Sequence, residues 1–158
     1  MKKEITKEET VQLLNNINGV TASDYEGLKF NYALGKNRGL LKDEYTAIMD
    51  TVKFTPEMLR FVKDWAGLSS QAMIEKVEAE KEKEGTNQEL ADKITAKIKA
   101  NKTFLEEKIE VQLYEIKLET VPKNIKGMDY AGIELLIVEP VAPVAPVVPV
   151  VPDKPNKE

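Results

Sequence analysis

Few side chains in this 158-residue chain are suited to chemistry. Histidine and cysteine are both absent. Without imidazole the commonest general base and metal ligand is missing. Without thiols there can be no disulfide, no thiolate metal site and no cysteine nucleophile. The densest group of candidate ligands is Gly35-Lys36-Asn37-Arg38-Gly39, two cations between two glycines. Backbone amides and charges in such a segment could cradle a phosphate. It lacks the Gly-Lys-Ser/Thr ending of a P-loop, and no strand pattern precedes it. A turn or a packed helix face is therefore the expected use. Asp43 and Glu44 are adjacent, so on a helix they point to different sides and cannot act as a carboxylate pair. No Asp-x-Asp-x-Asp calcium loop is present. Ser23, Ser69 and Ser70 all suit helix caps, and no spacing supplies the lysine base that a serine nucleophile would need here. The chain is expected not to be an enzyme and to use no cofactor or metal.

What remains is recognition. With 27 acidic residues against 23 basic, the net charge is -4. A nucleic-acid binder usually carries a basic excess that displaces counterions from phosphates, so nucleic acid is not expected as a partner. The N-terminus turns polar at once, which argues against a signal peptide. No stretch reaches the roughly 18–20 apolar residues of a membrane span, and a soluble protein is expected.

The elements that must position any surface follow from periodicity. Thr6-Lys7-Glu8-Glu9 has the form of a capping box. It opens a helix over Lys7 to Asn18, with Gly19 as the stop. Ser23 or Asp24 can cap a second helix, in which Tyr25, Leu28, Tyr32 and Gly35 form one stripe. Leu41, Tyr45, Ile48, Met49 and Val52 continue the helical period. Gly35 and Gly39 leave two forms open: one long helix with close packing at the glycines, or a kinked pair. Thr55-Pro56-Glu57 starts a third helix, with Met58, Phe61, Val62 and Trp65 on a face expected to lie in the core. Gly67 ends it. Phe61 and Trp65 could otherwise serve as an exposed anchor, but core packing is the better reading.

Ser69 or Ser70 caps a fourth helix, which Glu84-Gly85 closes. Thr86-Asn87-Gln88-Glu89 reads as a capping box for a fifth. Leu90, Ile94, Ile98, Leu105 and Ile109 lie on one stripe of that helix. From Glu75 to Glu110, 18 of 36 residues are charged, which fits an antiparallel hairpin with a narrow apolar seam and solvated flanks. The hairpin spans about residues 70–109 and is expected to project, with its seam open to a coiled-coil partner as the less favoured use.

After Ile109 the period switches to two. Val111 and Leu113 alternate, then Tyr114, Ile116 and Leu118 alternate in the opposite phase, as in a strand with a bulge. A lone strand needs a neighbour: residues near Gly19 to Ala22, another subunit, or a partner protein. A short final helix follows, starting at Asp129 or Asn124 and carrying Tyr130, Ile133, Leu136 and Ile137. From Pro140 proline recurs every third residue, which favours an extended polyproline II conformation and a disordered tail. The expected architecture is mainly α: a helical domain over 1–139 with a projecting hairpin and one short β segment, then a Pro/Val-rich tail over 140–158. Val111, Leu113, Ile116 and Leu118 of the strand, with Pro143, Pro146 and Pro149 of the tail, are the candidate partner-binding residues.

Three stretches carry a resemblance: Leu28 to Leu41 with its Tyr32-Ala33 and Lys36-Asn37, the charged hairpin, and Leu113-Tyr114-Glu115-Ile116-Lys117-Leu118 before Val121-Pro122. In this order they resemble a family of small uncharacterised proteins of tailed bacteriophages. The likeness covers about residues 25–138, and the Pro/Val tail departs from it. That family brings no binding or catalytic residues with it. The resemblance implies a phage origin and a structural or assembly-associated role, with other phage structural proteins or further copies of the chain as partners. The expected location is the host cytoplasm during assembly, and the virion. The rival expectation is a small inhibitor of a host defence or replication factor.

Overall fold

Thr6 ends the first strand and caps the first helix in one step. In a computed structural model that describes residues 1–140, its side chain accepts from the Glu9 amide. The Glu9 carboxylate in turn accepts from the Thr6 amide at 2.7 Å, completing the expected capping box. Helix α1 then runs over Lys7–Ala22, past Gly19. The helix continues because Leu13, Leu14, Ile17 and Val20 form one buried stripe across the glycine, and packing outweighs the glycine's propensity cost.

Ahead of it, Lys2–Thr6 forms strand β1. Its antiparallel partner is β2, Lys108–Gln112, with Lys2 opposite Gln112 and Thr6 opposite Lys108. This partner is none of the three left open by the sequence; of those, the residues near Gly19 to Ala22 are helical. The expected single β segment is also split. Ile116–Lys117 forms a separate strand, β3, parallel to β4 at Ile137–Val138. Residues 113–115 lie between the two. They carry the phase change seen in the sequence.

Helix α2 spans Leu28–Val52 without interruption. Gly27 is its N-cap at φ +131, a backbone conformation that essentially only glycine adopts. A Cβ at Gly35 or Gly39 would meet nothing within 4 Å, so neither glycine serves close packing. Both sit exposed in the helix interior. Gly35→Ala and Gly39→Ala are each expected to stabilise the fold by about 0.5–1 kcal/mol. A raised thermal midpoint, larger in the double variant, checks this.

Helix α3 is only Pro56–Phe61, capped by Thr55. Val62 is already extended, and Asp64 and Gly67 have positive φ. The expected helical face is helical only at Met58 and Phe61; Val62 and Trp65 follow in a loop. It packs not in the main core but in a second, smaller one, where Val62, Val77, Ala91, Ile94 and Ile98 are buried. Trp65 stacks on Phe54 there, with ring centroids 5.3 Å apart.

Helices α4, Ser70–Lys81, and α5, Gln88–Glu106, form the expected hairpin. The loop between them is longer than expected, and Asn87 rather than Thr86 caps α5 by accepting from the Leu90 amide. Lys81 pairs with Asp92 across the hairpin at 2.9 Å. The seam residues Ile94 and Ile98 are covered within the chain. Two polar ties hold α5 to the end of α2: Lys97 Nζ donates to Thr51 O at 2.6 Å, and Asn101 Nδ2 donates to Val52 O at 2.7 Å. Ile109, expected on α5, belongs to β2.

The main core lies between α1, α2, the β1–β2 pair and the C-terminal elements. Ile17, Phe30, Leu34, Leu41, Leu113, Ile116, Ile133 and Leu136 are its most buried residues. Helix α6, Gly127–Ile133, docks on α1. Tyr25 ties this docking to the loop before α2. Its hydroxyl donates to Asp129 Oδ2 at 2.6 Å and accepts from the Lys126 amide at 3.0 Å. The hydrogen bond to the Asp129 carboxylate holds the phenol above its ordinary value of 10.0. The folded state then keeps a proton that the unfolded chain loses above that pH. This contribution to stability is complete below pH 10.0 and is lost as pH rises through the raised value. Tyr25→Phe is expected to flatten the alkaline limb of stability against pH, which urea denaturation in strongly alkaline buffers measures.

Candidate protein-docking groove

One face of α2 is buried and the opposite face is not. Phe30, Ala33, Leu34, Asn37, Leu41 and Ile48 point inward. Leu28 and Tyr32, on the stripe read from the sequence, point out: Leu28 is 93% exposed and Tyr32 57%. Tyr25 lies before the helix rather than on it. The inward stripe contains an asparagine.

Asn37 is wholly buried. Its Nδ2 donates to Ala33 O at 3.0 Å and to Tyr114 O at 2.8 Å, while its Oδ1 accepts from the Tyr114 amide at 2.7 Å. One side chain thus satisfies both backbone groups of Tyr114, much as a neighbouring strand would. A buried amide is tolerated when its hydrogen-bonding capacity is met in this way. The clamp fixes the backbone at residue 114 and leaves the Tyr114 ring outward, 43% exposed. That ring meets Tyr32 edge to face, with centroids 5.9 Å apart at 83°. Lys36 lies over the Tyr32 ring at 5.5 Å.

Between α2 and the stretch from Tyr114 to Thr120 runs a groove of about 810 Å³, with Leu28, Tyr32 and Tyr114 among its walls. Lys29, Lys117, Glu115 and Glu119 are charged residues of its lining. It shares Leu28, Lys29, Glu119 and Thr120 with a neighbouring depression of about 560 Å³. A third depression, about 280 Å³, shares Lys117 and Glu119 with the groove and is also lined by Leu118, Val138 and Pro140.

The candidate residues read from the sequence fall in different places. Val111, Leu113 and Ile116 are 5%, 1% and 0% exposed. They are core residues, and the neighbour the strand needed lies within the chain. Leu118 is half-buried and lines the third depression. Pro143, Pro146 and Pro149 lie outside the described residues.

Gly35-Lys36-Asn37-Arg38-Gly39 forms no phosphate cradle. It lies mid-helix, with Asn37 turned inward and the other four exposed. Among the described residues no group of three or more His, Cys, Asp or Glu could hold a metal ion. No helix there is long and apolar enough to cross a membrane. Chemically, the groove can bury apolar side chains against two tyrosines and pair charges at its edge. No family model, no curated protein and no solved structure matches the chain.

Proposed function

We propose that this chain acts by protein–protein contact through the groove between α2 and the Tyr114–Thr120 stretch, as a structural or assembly-associated component of a tailed bacteriophage. The observation that carries the docking role is the exposure of Leu28, Tyr32 and Tyr114 together on a rigidly held frame. Apolar residues scattered singly over a surface need no explanation, whereas a rimmed apolar patch marks an interaction site. Full burial of a leucine side chain gains about 1.5–3 kcal/mol, and tyrosines rank among the residues that dominate interfaces. The clamp on Tyr114 lowers the ordering cost of binding, because that backbone is already fixed. The phage setting rests on the resemblance of residues 25–138, and it points to another phage structural protein or a further copy of the chain as partner.

The test uses particles of the phage whose genome encodes the chain. A photo-crosslinking residue replaces Leu28 in the infecting phage's copy, and purified particles are analysed by mass spectrometry. The expected result is the chain in the particle, crosslinked from position 28 to one structural protein. Absence of the chain from particles would overturn the virion role. Presence with no crosslink from position 28 would overturn the groove.

A further inference from the structure

Strand β2 pairs with β1 on one side only, and the ends of that ladder fix which way its backbone faces. The Leu113 amide donates to Met1 O at 2.8 Å, and the Lys7 amide donates to Glu107 O at 3.0 Å. Antiparallel ladders alternate, so in this register Ile109 and Val111 turn their amides and carbonyls toward β1. Lys108, Glu110 and Gln112 turn theirs outward. Among the described residues no other strand pairs with them, and no loop or helix backbone group bonds to them. Such an edge is a template for a further strand.

The side chains of β2 select that strand. Lys108, Glu110 and Gln112 are exposed, while Ile109 is half-buried and Val111 buried. The chain's own ladder sets Glu4 directly opposite Glu110, and like charges in that arrangement disfavour a pair. Lys2, which stands opposite Gln112, reaches Glu110 only on the diagonal, at 2.7 Å. A cation directly opposite Glu110 on its outer side would complete the balance. A second β2, laid antiparallel on this edge, supplies one. With Ile109 opposite Ile109, Lys108 of each copy stands opposite Glu110 of the other. These are also positions whose backbone groups face outward, so the same register exchanges N–H and C=O across the edge. Moving Glu110 to the centre would instead set two glutamates face to face. Charge on an edge strand normally guards it; here the change of sign between Lys108 and Glu110 makes the guard self-complementary. The edge of β1 offers no equivalent. Its Thr6 amide is taken by the Glu9 carboxylate, and matching Lys2 to Glu4 between two copies sets Lys3 against Lys3.

We infer that two copies of the chain join their β2 strands antiparallel about a twofold axis at Ile109, forming one sheet in the order β1–β2–β2–β1. A contact of this kind uses the same surface on both copies and closes on itself. A two-stranded pair alone is marginal, and the joined sheet gains stability. Leu28, Tyr32 and Tyr114 take no part, so the inference does not rest on the docking role of the groove.

Sedimentation equilibrium of the full-length protein tests it. The expected mass is twice the 17.8 kDa of the chain. Lys108→Glu and Glu110→Lys each set like charges opposite one another across the axis and should return the monomer mass. The two exchanges combined should restore the dimer. The combined variant still lacks the Lys2–Glu110 and Glu4–Lys108 pairs of the natural chain, so recovery cannot come from them. Register is read separately with Ile109→Cys in this chain without cysteine. Residues opposite one another in a non-hydrogen-bonded pair lie about 4.5 Å apart at Cα, a spacing that a disulfide spans. Mild oxidation should therefore link the chains in pairs. A monomeric mass for the natural sequence would overturn the inference. So would a mass that grows past the dimer with concentration, the mark of β1 joining β2 head to tail. A dimer indifferent to the single charge reversals, or one that Ile109→Cys does not link, would overturn it too. Each of these results leaves the particle-crosslinking test at Leu28 standing.

Discussion

Asn37→Ala is expected to lower the unfolding free energy by about 2–4 kcal/mol, a large fraction of the roughly 5–15 kcal/mol that holds a typical domain folded. The substitution removes three hydrogen bonds at once. Its greater effect lies in what it leaves behind. The amide and carbonyl of Tyr114 lose their only protein partner on that side, and each unsatisfied buried polar group costs about 1–3 kcal/mol. Asn37→Asp should be at least as damaging. A carboxylate keeps the acceptor for the Tyr114 amide but turns an oxygen toward the carbonyls of Ala33 and Tyr114, where donors are needed, and it brings a charge into the core. Urea denaturation measures both variants. A loss below about 0.5 kcal/mol, the range of neutral surface changes, would mean that the clamp holds nothing in place. The same variants should raise the mobility of Tyr114 and weaken whatever binds the groove.

Ile116→Ala and Leu28→Ala are expected to separate stability from binding. Ile116 is 0% exposed, packed in the main core and paired with Ile137 through β3 and β4. Truncating it removes apolar contacts and leaves a cavity, costing about 2–5 kcal/mol. Leu28 is 93% exposed, and its truncation should change stability by no more than about 0.5 kcal/mol while reducing capture of the groove's occupant. The reading of Ile116 as a partner-contact residue expects the reverse: a stable variant that fails to bind. Denaturant midpoints for the two variants, followed by crosslinking for the stable one, decide between these outcomes.

Much of the fold was legible from local chemistry. The capping box at Thr6, the Thr55-Pro56 start and the Ser69 cap are properties of a few adjacent residues, and each appears where its side chains demand. The hairpin was legible because Ile94 and Ile98 keep one seam. What failed depends on distant partners. β1 carries no strand signal of its own, because Lys2, Lys3 and Glu4 leave Ile5 as the one apolar residue of the strand. Their meaning appears only beside β2, where Lys2 meets Glu110 at 2.7 Å and Glu4 meets Lys108 at 3.5 Å. The groove was hidden for a related reason. Leu28 and Tyr32 share one stripe at helical spacing, which marks a helix without telling which face is buried. The true inward face included Asn37, whose polarity makes sense only once the Tyr114 backbone stands opposite. Periodicity finds a helix readily, but the choice of buried face needs the neighbour.

The pairing of β1 with β2 joins residues more than a hundred positions apart: Lys2 faces Gln112, and Lys3 faces Val111. During synthesis at about 5–20 residues per second, the first strand must wait several seconds for its mate to leave the ribosome. Helix α1 can coil meanwhile, but its N-terminal neighbour has no ladder to join. Nascent chains stalled before residue 108 should therefore present β1 as an open edge, the kind of surface that holding chaperones recognise.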